Sequence, residues 1–330
     1  MVEPVEMAQM WRGDFLECRH MGHAVICDAS GAVVKAWGDP GLTVLPRSSS
    51  KMLQALPLVE SGAADAAGLG SEHLALSCAS HNGATIHVER VRAWLEARGL
   101  SDDDLRCGGH IPRDKEQEKC IICGTGTPDQ AHNNCSGKHA GFLTLGQHLG
   151  AGPEYLELDH PVQRAVLEAF EDMTGETSPG FGIDGCSAPN FACSLSGMAR
   201  AMARFASMDE SSARGRAAKR LREAMWTHPE LVAGEGRACT ELMRAMGGGV
   251  ALKTGAEAFF VAILPEQGLG VALKMVDGQT RGAESAIASI LVELGVLDPA
   301  HPAAQQFLNA PLVNCNGIRA AEVRPGAAFA

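Results

Sequence analysis

Positive charge is scarce in this sequence: 28 Lys and Arg stand against 39 Asp and Glu, a formal net charge of −11. A nucleic-acid partner needs a basic face to displace counterions, and an anionic lipid surface asks for the same, so the balance excludes both classes of partner. Long apolar runs are missing too. The stretch Ala258 to Leu264 stops at Pro265, far short of the ~18 residues that cross a bilayer. Met1 to Phe15 carries Glu3 and Glu6 and no apolar centre, which reads as no secretory leader and predicts a cytoplasmic protein. There is no internal repeat, no low-complexity segment and no G-x-x-x-x-G-K-[ST], so repeat architectures and phosphate-loop chemistry are excluded.

What remains is an ordinary globular composition, 45% hydrophobic and 20% charged over 330 residues, enough chain to bury about three quarters of its surface. The eleven cysteines are scattered and odd in number, the pattern of reduced thiols with a few free for catalysis or metal ligation. His23 to Asp28 and Ala32 to Trp37 flank Ala29-Ser30-Gly31, and Ala258 to Leu264 and Val271 to Val276 flank Pro265 to Gly270. Both read as β-hairpins. Between them Lys51–Glu60, Ile86–Ala97, Pro161–Met173, Gly197–Ala206 and Ser212–Thr227 carry apolar residues at helical spacing, as does Gly282–Leu297 beyond. Leu312 to Val323 predicts a short strand pair. The expected fold is α/β of the α+β kind: an antiparallel sheet from both chain ends, about residues 1–45 and 250–330, with a helical lobe of about 46–249 inserted, the whole forming a single unit.

Three short motifs carry chemistry. Ser48-Ser49-Ser50-Lys51 is an S-x-x-K at a helix start, where positions i and i+3 share a face. A serine hydroxyl needs a base to become a nucleophile, and a lysine amine is a base only when burial or a neighbouring cation lowers its pKa. Ser80-His81-Asn82 is an S-x-N, and Lys253-Thr254-Gly255 is a K-T-G just before the second hairpin. The three types, in this order, form the signature of serine β-lactamases and penicillin-binding proteins. Composition alone predicts roughly 0.5, 0.4 and 0.03 chance matches, so each of the first two is worthless singly and the set of three is not. Gly255 reads as a strand residue that lets substrate approach.

Asn133-Asn134-Cys135-Ser136-Gly137-Lys138-His139 and Gly182-Ile183-Asp184-Gly185-Cys186-Ser187 form a second constellation, small, polar and loop-like. Cys135 and Cys186 could be two thiolate ligands with Lys138 or His139 as a third, or two buried thiols acting as small hydrophobes. The Cys120-Ile-Ile-Cys123 pair has no partner motif and reads as ordinary thiols. Gly124 to Thr127 is a glycine-rich turn without the lysine of a phosphate loop.

At Pro46-Arg-Ser-Ser-Ser-Lys51, Ser80-His-Asn-Gly83, Asn134-Cys-Ser-Gly-Lys-His139, Gly185-Cys186 and Lys253-Thr-Gly-Ala-Glu257, the chain resembles the rhizobial-type L-asparaginases, the asparaginase II family, over nearly its whole length. The resemblance implies a fold like serine β-lactamases and glutaminases, hydrolysis of L-asparagine to L-aspartate and ammonia, and a homodimer acting on a small molecule. It assigns Ser48 with Lys51 and Ser80 with Lys253 as two serine–lysine tandems, and Cys135, Lys138 and Cys186 as ligands of one Zn2+ per chain. Arg47 is then the cation expected at the substrate carboxylate and Asp184 or Glu257 the anion at its ammonium, with Asn82 and His139 as further substrate contacts. No TGGT segment of the threonine-dependent asparaginases occurs. The rival readings are another serine acyl-transfer hydrolase of the same fold, glutaminase or β-lactamase-like, and a non-catalytic zinc- or thiol-sensing protein.

Overall fold

Strand Phe15–Cys27 is the centre of the sheet, because its second half is buried without interruption while its first half alternates. It pairs on one side with Val5–Arg12 and on the other with Leu269–Met275, so that Val25 lies opposite Ala272. The structure is a computed structural model that describes residues 2–124 and 127–329. The full antiparallel order is Pro311–Val313, Arg319–Pro325, Val5–Arg12, Phe15–Cys27, Leu269–Met275, Phe259–Leu264, Ala251–Gly255, with Val33–Trp37 also paired to Phe15–Cys27. Phe259–Leu264 is buried at every position, which a strand tolerates only when both faces are covered.

Two helices supply that cover. A Cβ at Gly270 would lie 2.1 Å from the Ala203 nitrogen, so helix Leu195–Ser207 lies directly on that face. Thr280–Glu293 meets the opposite face, where Gly282 sits against His20 and Met275. These pieces, residues up to 49, 194–207 and from 241 onward, make one compact unit. The sheet is therefore drawn from both chain ends, as expected, and it also recruits Leu195–Ser207 out of the predicted helical stretch. Its strongly one-sided apolar face needs the sheet to bury it.

Residues 50–193 and 208–240 make the second unit. Lys51–Glu60 is its central helix, buried from Lys51 to Val59, and it packs against Pro161–Thr174, Ala213–Thr227 and Ser136–His148. Ser136–His148 corrects the loop reading of that segment: it is a helix with Ser136 through Gly146 buried. Burial on all sides removes the polar face that makes a helix visible in sequence. The glycine-rich turn expected at Gly124 to Thr127 includes Thr125 and Gly126, which lie outside the described residues. Among the described residues no helix is long and apolar enough to cross a membrane.

Candidate active site and thiol cluster

The S-x-x-K begins in a 3-10 turn, Arg47–Ser50, that runs into helix Lys51–Glu60. Arg47 has φ 52°, a left-handed conformation costing a non-glycine residue on the order of 1–3 kcal/mol, and such strain gathers at functional sites. In the first unit the turn is fixed against strand Ala251–Gly255: Ser49 Oγ donates to the Lys253 carbonyl at 3.4 Å. A Cβ at Gly255 would lie 2.6 Å from the Pro46 oxygen and 2.7 Å from Ser49 Oγ. The group pressed on Gly255 is thus the chain's own turn, where the sequence suggested substrate. Lys253 is fully buried, and its Nζ donates to the Thr254 carbonyl at 2.7 Å. Glu257 stands exposed just beyond, at φ 57°, and its carbonyl accepts from Lys274 Nζ at 2.7 Å.

In the second unit Lys51 meets Ser80. Lys51 is 1% exposed, and its Nζ lies 3.2 Å from Ser80 Oγ. It donates to the carbonyl of Ala79 and, at 3.4 Å, to that of Asn134. Two carbonyls take two N–H donors, which leaves the hydroxyl of Ser80 either to accept a third or to donate to the nitrogen lone pair. The geometry can therefore pass a proton in either direction. Ser80 is held in turn by its N–H, which donates to the Val232 carbonyl at 2.8 Å.

The next residue begins a buried histidine pair. His81 and His87 are both 0% exposed and stack at 4.7 Å with an 8° tilt. The Gly83 N–H donates to His81 Nδ1 at 3.1 Å, so the opposite nitrogen, Nε2, carries the proton and donates to Ser136 Oγ at 2.9 Å. Burial, then His87 and Lys51, hold His81 well below the ordinary imidazole value. Asn82 keeps its amide oxygen for the Ala84 N–H at 3.3 Å.

The second constellation converges. Cys135 caps helix Ser136–His148, Lys138 lies in its first turn, and Cys186 sits in the turn between strands Phe181–Ile183 and Pro189–Phe191. Lys138 Nζ is 3.0 Å from Cys186 Sγ. The sulfurs of Cys135 and Cys186 and a carboxylate oxygen of Asp184 all lie within 4.8 Å of one another. The neighbouring Cys186 sulfur and then burial push the Cys135 thiol up to about 12, whereas the Cys135 sulfur, helped by the Lys138 charge, draws Cys186 well below the ordinary thiol value against the opposing effect of burial. Burial alone would lower Lys138, but Cys186, Cys135 and Asp184 outweigh it and raise the amine above its usual value. The Lys138 amine thus faces the Cys186 sulfur, while Cys135 Sγ donates to Asn134 Oδ1 at 3.0 Å.

Asp184, expected at a substrate ammonium, belongs to this cluster: Cys186 Sγ lies 3.6 Å from its Oδ2. His139, expected to touch substrate or metal, is 0% exposed and pairs through Nδ1 with the Tyr155 hydroxyl at 2.8 Å. Burial, then Lys138, hold it well below the ordinary value. Two residues that the sequence reading passed over stand close by. Cys107 is buried and feels the charges of Cys135 and Cys186, tied in by Asn133 Nδ2, which donates to the Cys107 carbonyl at 2.9 Å. Tyr155, the single tyrosine of the chain, takes the Arg106 N–H at 2.7 Å. Its rarity was the signal available. Cys120 and Cys123, the more metal-like pair on paper, are exposed on helix Lys115–Cys123.

The L-asparaginase II family matches residues 8–325, nearly the whole chain. The chain belongs to this family. It is thereby a member of an amidohydrolase family, and the serine–lysine and Cys-Ser-Gly-Lys-His segments described above all fall inside the matched range. No curated protein matches the sequence. Similar solved structures include Mglu in its native form, at 13% identity and TM-score 0.44 over 85% of this chain and 66% of that one. Mglu in its tris and glutamate form gives 15% and 0.47 over 90% and 64%. A β-lactamase from Mycobacterium bovis gives 12% and 0.44 over 82% and 94%. The chain thus spans just under two thirds of the length of Mglu.

Proposed function

We propose that this chain hydrolyses the side-chain amide of L-asparagine to L-aspartate and ammonia through an ester on Ser48. The observation that carries the reading is the buried hydrogen bond between Lys51 and Ser80 at 3.2 Å, a serine–lysine pair closed off from water in a member of an amidohydrolase family. Ser48 attacks the amide carbon as its proton passes to Lys51, the residue one helical turn ahead. Ser80 and Lys253 serve the leaving nitrogen, which departs as ammonia with the proton returned to it. Water then cleaves the ester by the reverse transfers, releasing aspartate and restoring the Ser48 hydroxyl. Eleven free cysteines support a reducing, cytoplasmic setting.

The thiol cluster supports one Zn2+ per chain. A tetrahedral zinc takes sulfur at about 2.3 Å and nitrogen or oxygen at about 2.0–2.2 Å, so its ligands lie about 3–4 Å apart, which fits atoms already within 4.8 Å. Cys135, Cys186 and Lys138 would hold it, with the Asp184 carboxylate close enough to serve as a fourth donor. Bound there, the ion supplies positive charge that orients anionic groups and disfavours ammonium nearby. Lys138 must give up a proton to ligate it.

Ammonia release from L-asparagine by the purified chain tests the activity, and mass spectrometry of the acid-quenched reaction tests the ester. Ser48→Ala should abolish turnover and the mass gain of an aspartyl adduct. Turnover within about tenfold of wild type in that variant would exclude the acyl-enzyme. A β-lactam hydrolysed in preference to asparagine would replace the substrate and keep the mechanism.

A further inference from the structure

Five arginines of the second unit have an acid beside them. Arg90 pairs with Glu72, Arg92 with Asp129, Arg106 with Glu154, Arg214 with Glu60 and Asp172, and Arg220 with Asp65. In a chain of net charge −11 acids are plentiful. Arg113 and Arg237 depart from this pattern: neither makes an ion pair among the described residues, and the charged group that acts on Arg113 is the Arg237 guanidinium. Desolvation, and then that second cation, lower Arg113 from its ordinary value. Asp114, the acid next in sequence, is committed elsewhere, since its Oδ1 accepts the Gln117 N–H at 3.0 Å as a helix cap.

The backbone fixes where this pair lies. The segment Ser80–Asn82 runs beside Val232–Gly234: the Ser80 N–H donates to the Val232 carbonyl at 2.8 Å, and a Cβ at Gly234 would lie 2.5 Å from the Asn82 side chain. Arg237 follows on that second segment, its N–H donating to the Gly234 carbonyl at 3.4 Å. From another side, the Asp114 N–H donates to the Asn82 carbonyl at 2.9 Å, and Pro112 packs on Gly83. Arg113 lies between those two contacts in sequence. Two chain segments, one carrying Arg113 and the other Arg237, thus meet at Asn82, about two residues, or roughly 7 Å of extended chain, from the Ser80 that meets Lys51.

We infer that Arg113 and Arg237 form the receptor for the α-carboxylate of the amino-acid amide, holding it at the Asn82 end of the segment while the side-chain amide reaches the Ser80 end. This rests on the amidase reading above, and it replaces Arg47 as the cation for that carboxylate. Two like charges brought together without an acid are costly unless an anion joins them, and a guanidinium fork matches a carboxylate bidentately. Arg113 is exposed and Arg237 half-buried, so an incoming anion can reach both.

Steady-state kinetics on Arg113→Gln/Arg237→Gln test the assignment. KM for L-asparagine should rise at least about tenfold, the loss of a charge-assisted hydrogen bond, with kcat changed far less. KM for L-asparagine methyl ester, which lacks the carboxylate charge, should be the same in variant and wild type. Arg113→Lys/Arg237→Lys, which keeps the charge and loses the fork, should fall between. A wild-type chain that hydrolyses asparagine alongside a Gln variant with unaltered KM overturns the receptor and leaves the amidase reading standing. If the wild type releases no ammonia, the amidase reading falls, and calorimetric titration with L-aspartate decides the receptor separately. Binding to wild type that the Gln variant loses supports it, and no binding to wild type, or equal binding to both, overturns it.

Discussion

Lowering the pH from 7 to 5 should destabilise the second unit steeply, because three of its histidines are buried as neutral rings. His81, His87 and His139 are each 0% exposed. Burial holds each below the ordinary value of 6.5. An unfolded chain gives these imidazoles their ordinary pKa, so between that value and the folded ones the unfolded state binds more protons. Stability is then complete above about pH 7 and is lost as pH falls below 6.5. A histidine that stays neutral in the fold down to pH 5 forfeits about 2 kcal/mol over that interval, and three forfeit up to about 6. That is comparable with the whole stability of an ordinary domain, about 5–15 kcal/mol. The structure also shows what protonation would break. His81 Nδ1 accepts the Gly83 N–H at 3.1 Å, and a cationic ring would set donor against donor beside Ser80. Urea titrations by circular dichroism at pH 7, 6 and 5 would measure the fall. In His87→Gln the amide can still donate to the Glu230 carbonyl, which His87 Nε2 now meets at 2.8 Å, and the fall should shrink by up to about 2 kcal/mol. A stability that stays within about 1 kcal/mol from pH 7 to 5 would refute the neutral-burial reasoning, since one such histidine alone predicts more.

Other expectations follow from single contacts. Elemental analysis should find about one zinc per chain, lost in Cys135→Ala and in Cys186→Ala and kept in Cys120→Ala, whose thiol is exposed far along another helix. The reverse pattern would move the metal to the Cys120–Cys123 pair. Asp184→Asn should weaken zinc retention against a chelator if its carboxylate, within 4.8 Å of both sulfurs, is a ligand. Equal off-rates would place it outside the coordination sphere. Gly255→Ala puts a Cβ at 2.6 Å from the Pro46 oxygen, so the Arg47–Ser50 turn must move. Asparagine turnover should fall at least about a hundredfold, as small misplacements of reacting groups do, while circular dichroism stays near wild type.

The two hairpins and the central helix Lys51–Glu60 were legible because apolar periodicity and Gly or Pro turns mark them. Strand Val5–Arg12 was not, because register shifts between Glu6 and Ala8 and between Met10 and Trp11 break the alternation a strand reading relies on. Small, polar segments and the family resemblance marked Cys135 and Cys186, whose spacing fits no standard metal motif, but only the hairpin turn at Asp184–Ser187 brings the second thiol to the first and carries Asp184 along with it. The Lys51–Ser80 bond crosses the tandems expected from the motifs, since i, i+3 spacing describes one helix face and says nothing of a neighbouring loop. Arg113 and Arg237 carry no sequence signal at all: what sets them apart is that the charge acting on one cation is the other, and such a neighbour is visible only in three dimensions.

The pairing of Val25 with Ala272 sets a schedule for the sheet. The two partners are roughly 250 residues apart, and a ribosome adding about 5–20 residues per second needs about 12 to 50 seconds to deliver the second after the first. Through that interval the hairpin of Val5–Arg12 and Phe15–Cys27 waits with an unpaired edge and with Ala24 to Cys27, buried in the finished protein, open to water. Such an edge is a template for any other strand. The second unit, by contrast, ends at residue 240, before Leu269–Met275 is made, so during synthesis it can be folded while the strands on either side of it in the chain are still apart.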